Sequence, residues 1–179
     1  MNRSFGTKEN ILAVLVEYVL QSQFDFAAKV VEGHSSDPVL FYAAETTLQL
    51  YMAESHEHIR DLYNAAYSMP KTSDIIQHAV TGKLERIFAE YRLELETKDF
   101  YELEIASGGV MRGFMTIPCN MYFTIDRKVA RFIETTFLIY RVPQARIEEA
   151  VAFVKQFDFV TLAEQAVASM LYRLEHTPV

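Results

Sequence analysis

Tryptophan is absent from this chain, cysteine occurs once, and glycine and proline are scarce, at six and five in 179 residues. The lone cysteine, Cys119, excludes an internal disulfide and fits a reducing cytoplasm. So few glycines and prolines leave little material for hairpins and sandwiches, and favour long helices. No uninterrupted apolar run reaches roughly eighteen residues, and no basic, apolar, small-residue leader is present. Neither a membrane span nor a secretory signal is therefore expected. Basic charge is also short: 17 Lys and Arg stand against 24 Asp and Glu, for a net charge of -7. Phosphate binding needs clustered Lys and Arg, so the bulk of the chain is a poor nucleic-acid ligand. Any DNA contact falls to a small local patch or to residues outside this sequence.

Catalytic and metal motifs are missing as well. HExxH, CxxC and a glycine-rich phosphate loop do not occur. His56 and His58 lie two apart, and on a helix such residues point in different directions, so a solvated face is expected rather than a chelate. No nucleophile, base and orienting group assemble, so catalysis is not expected and no cofactor is implied. Glu94, Glu96, Glu102 and Glu104 cluster near a helix junction. Glu104 stands apart, between Leu103 and Ile105, close to an apolar stripe.

What is present is hydrophobic. Half the residues are apolar, with 13 Phe, 10 Tyr and seven Met. The periodicity is helical throughout. A first helix spans about 7–32, broken by Gly33. Asp37-Pro38 pairs an N-cap with a first-turn proline and opens a second helix. Ser55 caps a short third helix, closed by Pro70. Thr72-Ser73-Asp74 opens a fourth. From 99 to 122, Phe100, Leu103, Ser107, Val110, Phe114, Ile117 and Met121 alternate steps of three and four, and Pro118 should kink or end this run. Thr124 or Asp126 restarts a helix that Pro143 follows, and two more complete the chain. About eight helices with short connections predict an all-α bundle.

The opening stretch, Phe5-Gly6-Thr7-Lys8-Glu9-Asn10-Ile11-Leu12, resembles the end of the DNA-binding domain of TetR/AcrR-family transcriptional regulators. There a Tyr-x-x-Phe piece ends the recognition helix, and a small turn followed by Lys-Glu and two aliphatics leads into a long helix. Phe5 matches the phenylalanine, Gly6-Thr7 the turn, Lys8 the lysine, and Ile11 and Leu12 the aliphatics. Asn2 stands where the family usually has tyrosine. The segment from Tyr51 to Tyr63, YMAESHEHIRDLY, also looks like the body of some family members. The resemblance implies that residues 1–12 are the remnant of a helix-turn-helix domain running into a linker helix. Residues 13–179 would then form a TetR-like C-terminal domain that binds a small-molecule effector and dimerises. Thr7 and Lys8, at the start of a helix with outward amides, would contact a DNA phosphate. DNA would be bound only with the missing N-terminal helices restored.

Tyr63, Tyr67, Met111, Phe114, Met115 and Tyr122, with Phe123, fall on two helices expected to pack in the body. With Ser107 as a polar contact, they form the candidate effector pocket: greasy walls and tyrosine hydroxyls that orient a ligand. Simple core packing is the competing reading of each. Gly108, Gly109 and Gly113 in one helix each cost roughly 1 kcal/mol against alanine, and permit close helix approach or leave room for a ligand. Residues of about 126–174 carry apolar stripes and small residues, and a homodimer through them is expected, against the alternative that they close the monomer's own core. The other reading of the whole chain is a stand-alone helical ligand-binding or protein-interaction module without DNA binding.

Overall fold

Asp37 and Pro38 act as their order in the sequence predicts. The Asp37 carboxylate accepts the backbone N–H of Val39 at 2.8 Å, and Pro38 takes the first helical position, where its missing N–H leaves no bond unmade. The computed structural model describes residues 3–176, with side chains from residue 8 onward. Those residues form eight α-helices and no strand. In chain order they are α1 (Arg3–Val31), α2 (Pro38–Ser55), α3 (Glu57–Ser68), α4 (Pro70–Phe88), α5 (Thr97–Thr116), α6 (Ile125–Ile139), α7 (Gln144–Val154) and α8 (Phe159–His176), with one 3-10 turn, Ala89–Tyr91, after α4. The all-α bundle expected from the periodicity is the observed architecture.

α2 is the axis of the body. Thirteen of its 18 residues are buried, so it has no solvent face. The other seven helices pack around it, α1, α3, α7 and α8 most extensively. Its threonines satisfy themselves within the helix: Thr46 and Thr47 donate to the carbonyls of Tyr42 and Ala43 at 2.7 and 2.6 Å. Aromatic rings fill one side of the core. Phe88 stacks on Tyr140 with centroids 4.2 Å apart and meets Tyr42 edge-on at 5.3 Å.

Several boundaries differ from expectation. The turn expected at Gly6-Thr7 is absent, because α1 runs unbroken from Arg3. One glycine costs a helix about 1 kcal/mol, which a long helix tolerates where no proline follows. Pro70 does not only close α3; it opens α4, two residues earlier than Thr72. Pro118 ends the regular run outright: α5 stops at Thr116, and Thr124 caps α6. At the end of α6, Arg141 adopts a left-handed φ of 56°, and Val142 N–H donates back to the Phe137 carbonyl at 3.0 Å, a helix-ending geometry usually given to glycine.

The connection between α5 and α6 is pinned by a buried ion pair. Lys128, 1% exposed, donates to Glu54 Oε2 at 2.8 Å and to the Ile117 carbonyl at 2.6 Å. The other Glu54 oxygen accepts Cys119 N–H at 2.8 Å. Burial alone would raise the Glu54 carboxyl, but its bonds to Lys128 and Cys119 outweigh that and hold it below the usual range.

α1 bears on the membrane expectation. By length and composition its segment Lys8–Val31, which holds an 18-residue window of mean hydropathy 1.3, is long and apolar enough to cross a bilayer, although charged residues interrupt it. Here it packs on α2, α3, α4 and α8. Val16, Val19, Leu20, Ala27 and Val31 are buried, while Ile11 and Val14 are exposed.

Candidate ligand cavity

The turn between α1 and α2 and the crossing of α4 and α5 leave a space that side chains do not fill. It is a cavity of about 400 Å³ bounded by residues of α1 to α6. That volume is in the range of small-molecule sites. Leu20 and Phe24 come from α1, Phe41 and Tyr42 from α2, and Val80, Leu84 and Ile87 from α4. Met111 of α5 and Phe132 of α6 close the apolar wall. Asp25, Ala28, Pro38 and Arg86, all exposed, mark its mouth.

Two carboxyls interrupt this apolar lining. Glu45 of α2 is 3% exposed and Glu104 of α5 is 4% exposed. Glu45 accepts a hydrogen bond from Gln23 Nε2 of α1. Glu104 Oε2 accepts from the Ser107 hydroxyl at 3.0 Å, which also meets the Tyr140 hydroxyl at 3.0 Å. Among the described residues, Glu45 Oε2 and Glu104 Oε1 have no hydrogen-bond partner. Burial pushes the Glu45 carboxyl up to about 7, against the Gln23 bond and the charge of Lys83. Burial likewise raises Glu104 to about 8; the Ser107 bond opposes it and the charge of Glu45 adds to it. A low-dielectric wall disfavours the ionised form, and the Glu45 charge makes Glu104 harder to ionise.

The remaining polar groups are linked to these two. Tyr63 donates its hydroxyl to Gln23 Oε1, and Gln23 Nε2 also reaches Gln49 Oε1 at 3.3 Å. Gln49 in turn donates to the Tyr67 hydroxyl at 3.5 Å. Burial raises the Tyr67 phenol well above its ordinary range, so it stays a neutral hydrogen-bonding group. Lys83 stands over the Phe24 ring, 3.1 Å from its centroid, and desolvation lowers its pKa against the opposing pull of Glu45.

Of the expected pocket residues, Tyr67, Ser107 and Met111 line this cavity. Tyr63 does not line it, but touches it through Gln23 and Glu45. Phe114 packs edge-on against the lining residue Phe132, with centroids 6.3 Å apart. Met115 is 1% exposed in the core, outside the lining. Tyr122 is corrected: it is 80% exposed, because α5 ends before Pro118 and leaves Tyr122 in the connection to α6. Of the three α5 glycines only Gly108 belongs to the wall, and a Cβ there would stand 3.2 Å from Glu104 Oε1 and 3.5 Å from Tyr67 Cε1. Gly109 and Gly113 face open space. Lys8 is exposed on α1, and the Thr7 side chain lies outside the described residues.

The inner face of α5 is also turned by one residue from the expected stripe. Phe100, Glu104, Ser107, Met111 and Met115 are buried, while Leu103, Val110 and Phe114 are half-buried. Apolar periodicity missed this because the face contains a glutamate. Glu45 went unnoticed for the same reason, although it is the only charged residue between Asp37 and Glu54.

Neither a family model, nor a curated protein, nor a solved structure matches the chain. The cavity therefore speaks through its own chemistry. It offers apolar walls, phenol and amide groups for orientation, and two carboxyls that hold protons near neutral pH. Chemically, such a lining can receive and orient a small organic molecule.

Proposed function

We propose that this chain is the effector-binding and dimerisation body of a TetR-like transcriptional regulator whose DNA-reading helices are largely missing. One observation carries the reading. The helix that carries the TetR-like stretch, though it runs through Gly6-Thr7 without a turn, is also a wall of the cavity: α1 supplies Leu20 and Phe24 to the lining and Gln23 to the buried carboxyl. A molecule in the cavity therefore touches the rod that would carry a DNA-reading head. Its binding would favour one orientation of α1 over another. In a dimer, that orientation sets the spacing of two heads on successive major grooves.

The dimer would form through residues of about 126–174. Leu138 of α6 and Val160, Leu171 and Tyr172 of α8 are each more than half exposed, which supports an apolar face that a second copy covers. Light scattering at micromolar concentration, together with a thermal-shift screen of small organic compounds, tests the reading. A dimer stabilised by one compound class is expected. A monomer that no compound stabilises overturns it. Alone, this chain should bind DNA weakly and without sequence preference; a tight, salt-sensitive, sequence-specific shift contradicts the missing head.

A stand-alone binding or interaction module is the second reading. It is favoured by Ile11 and Val14, 64% and 65% exposed on α1, which another protein could cover. The nucleotide sequence upstream of the Met1 codon separates the two: an open frame encoding a helix-turn-helix favours the regulator.

A further inference from the structure

We propose that the cavity selects organic monocations, holding an ammonium group at Glu45 and Glu104 and its apolar body against Phe24, Phe41, Met111 and Phe132. This deepens the effector reading and rests on it for biological meaning, but the binding itself is a property of the cavity. Three observations carry the inference. Both carboxyls are nine-tenths or more buried and line one cavity. Each has an oxygen without a hydrogen-bond partner among the described residues. And the space beside Glu104 is kept open by Gly108, where any side chain would crowd Glu104 Oε1.

Neither open carboxyl oxygen is among the fully buried atoms without a partner, which are His56 Nε2 and Thr136 Oγ1 among the described residues, so both face the cavity and not a sealed core. Buried charges are ordinarily paired, and buried carboxyls without a partner keep their protons. Lys83, whose charge reaches Glu45, lies over the Phe24 ring, and no salt bridge joins it to Glu45 among the described residues. A ligand ammonium entering the cavity supplies the missing countercharge in a low-dielectric surround, with aromatic faces to receive its methyl or methylene groups. An anionic ligand would meet two like charges, or two carboxyls locked in their protonated form. A neutral ligand would gain the apolar wall and hydrogen bonds to the phenol, amide and carboxyl groups, without the attraction between opposite charges.

Cation binding is then coupled to proton release. With the cavity empty, the carboxyls hold protons up to about pH 7 and pH 8. The groups facing them are Asp25 of α1, Tyr42 of α2, Tyr63 and Tyr67 of α3, Lys83 and Arg86 of α4, and Tyr140 after α6. Of these, the phenols of Tyr42, Tyr63, Tyr67 and Tyr140 are raised by burial and stay neutral. A cation favours the ionised carboxyl and expels its proton. Affinity for a permanently charged ligand therefore rises with pH toward neutrality and levels off above about pH 8.

The test uses three probes with one phenylalkyl body: a trimethylammonium, its neutral tert-butyl isostere and the corresponding carboxylate. Calorimetry of the full chain should show the ammonium binding at least about tenfold tighter than the isostere, with the carboxylate weakest. In buffers of different ionisation enthalpy, its binding should release about one proton at neutral pH. Glu104→Gln and Glu45→Gln should each weaken the ammonium about tenfold and leave the isostere unchanged. Gly108→Ala, which keeps both carboxyls, should weaken the ammonium by crowding its seat. Near-ultraviolet circular dichroism verifies the fold of each variant. An ammonium no tighter than its isostere, no proton release, or no binding of any probe overturns the inference. A monomeric chain that nonetheless prefers the ammonium sinks the regulator reading and leaves this one standing.

Discussion

Gln23 of α1 and Glu45 of α2 are joined side chain to side chain, 0% and 3% exposed, with the Tyr63 hydroxyl closing on Gln23 from α3. Three helices thus meet in one buried polar contact at the edge of the cavity. Polar groups so placed are largely withdrawn from bulk water, so each depends on the others.

Gln23→Leu leaves the Tyr63 hydroxyl and the Glu45 carboxyl without their partner. It should destabilise the chain by about 1–3 kcal/mol in urea unfolding. The double variant Gln23→Leu, Tyr63→Phe should lose less than the sum of the two single changes, because the second removes a group the first has orphaned. Strict additivity would mean that the contact does not form.

Stability should depend on pH in opposite senses on the two sides of a maximum near pH 5. Glu45 and Glu104 have raised folded values, about 7 and about 8 against an ordinary 4.5, so the folded chain holds extra protons across that window. Their contribution is complete below it and is lost as pH rises through it. Glu54 and Asp37 are lowered, despite burial, by Lys128 and by Arg146, so their contribution is lost as pH falls. Melting temperatures from pH 4 to pH 9 should show this shape. Glu104→Gln should flatten the alkaline side alone, and an unchanged alkaline side would count against the burial of that carboxyl.

Breaking the Lys128–Glu54 pair should be costly. Lys128→Met leaves the Glu54 carboxylate facing a vacated site and should cost about 3 kcal/mol, the lower end for buried pairs because the Glu54 side chain is 23% exposed. Lys128→Met with Glu54→Leu should recover part of that loss. Chemical denaturation measures both, and a neutral single variant would show the pair to be solvent-screened.

Leu171→Glu on α8 tests the proposed dimer. The residue is 51% exposed, so the monomer's own stability should change by no more than about 0.5 kcal/mol. Light scattering should show the assembly shift from dimer to monomer. A dimer unaffected by this charge places its interface elsewhere.

Helix count, helix class and most helix starts were legible in the sequence, because they rest on local signals. Asp37-Pro38 and Thr124 each cap or open a helix, and such chemistry acts within a few residues. Pro118 announced the end of α5, yet Tyr122 was still expected to extend its pocket face. The cavity is half legible: aromatic and methionine enrichment points to Tyr67 and Met111, Ser107 follows as a polar contact on the same wall, and Glu104 stands out beside an apolar stripe. Glu45 was invisible, since a search for apolar stripes passes over an acid even when both its neighbours are buried.

The chain's sequence by itself determined that it would be helical, about how many helices it would have, and near which residues most of them would begin. Those outcomes depend on capping, proline and the 3.6-residue repeat, all local properties. Only the tertiary structure decided that α5 presents Glu104 rather than Leu103, that α2 lies at the centre, and that two carboxyls on different helices share one cavity. The physical reason is that packing fixes helix rotation and neighbours through contacts between residues far apart in sequence. The environment that keeps a proton on Glu45 is made by α1, α4 and α5 as much as by its own helix.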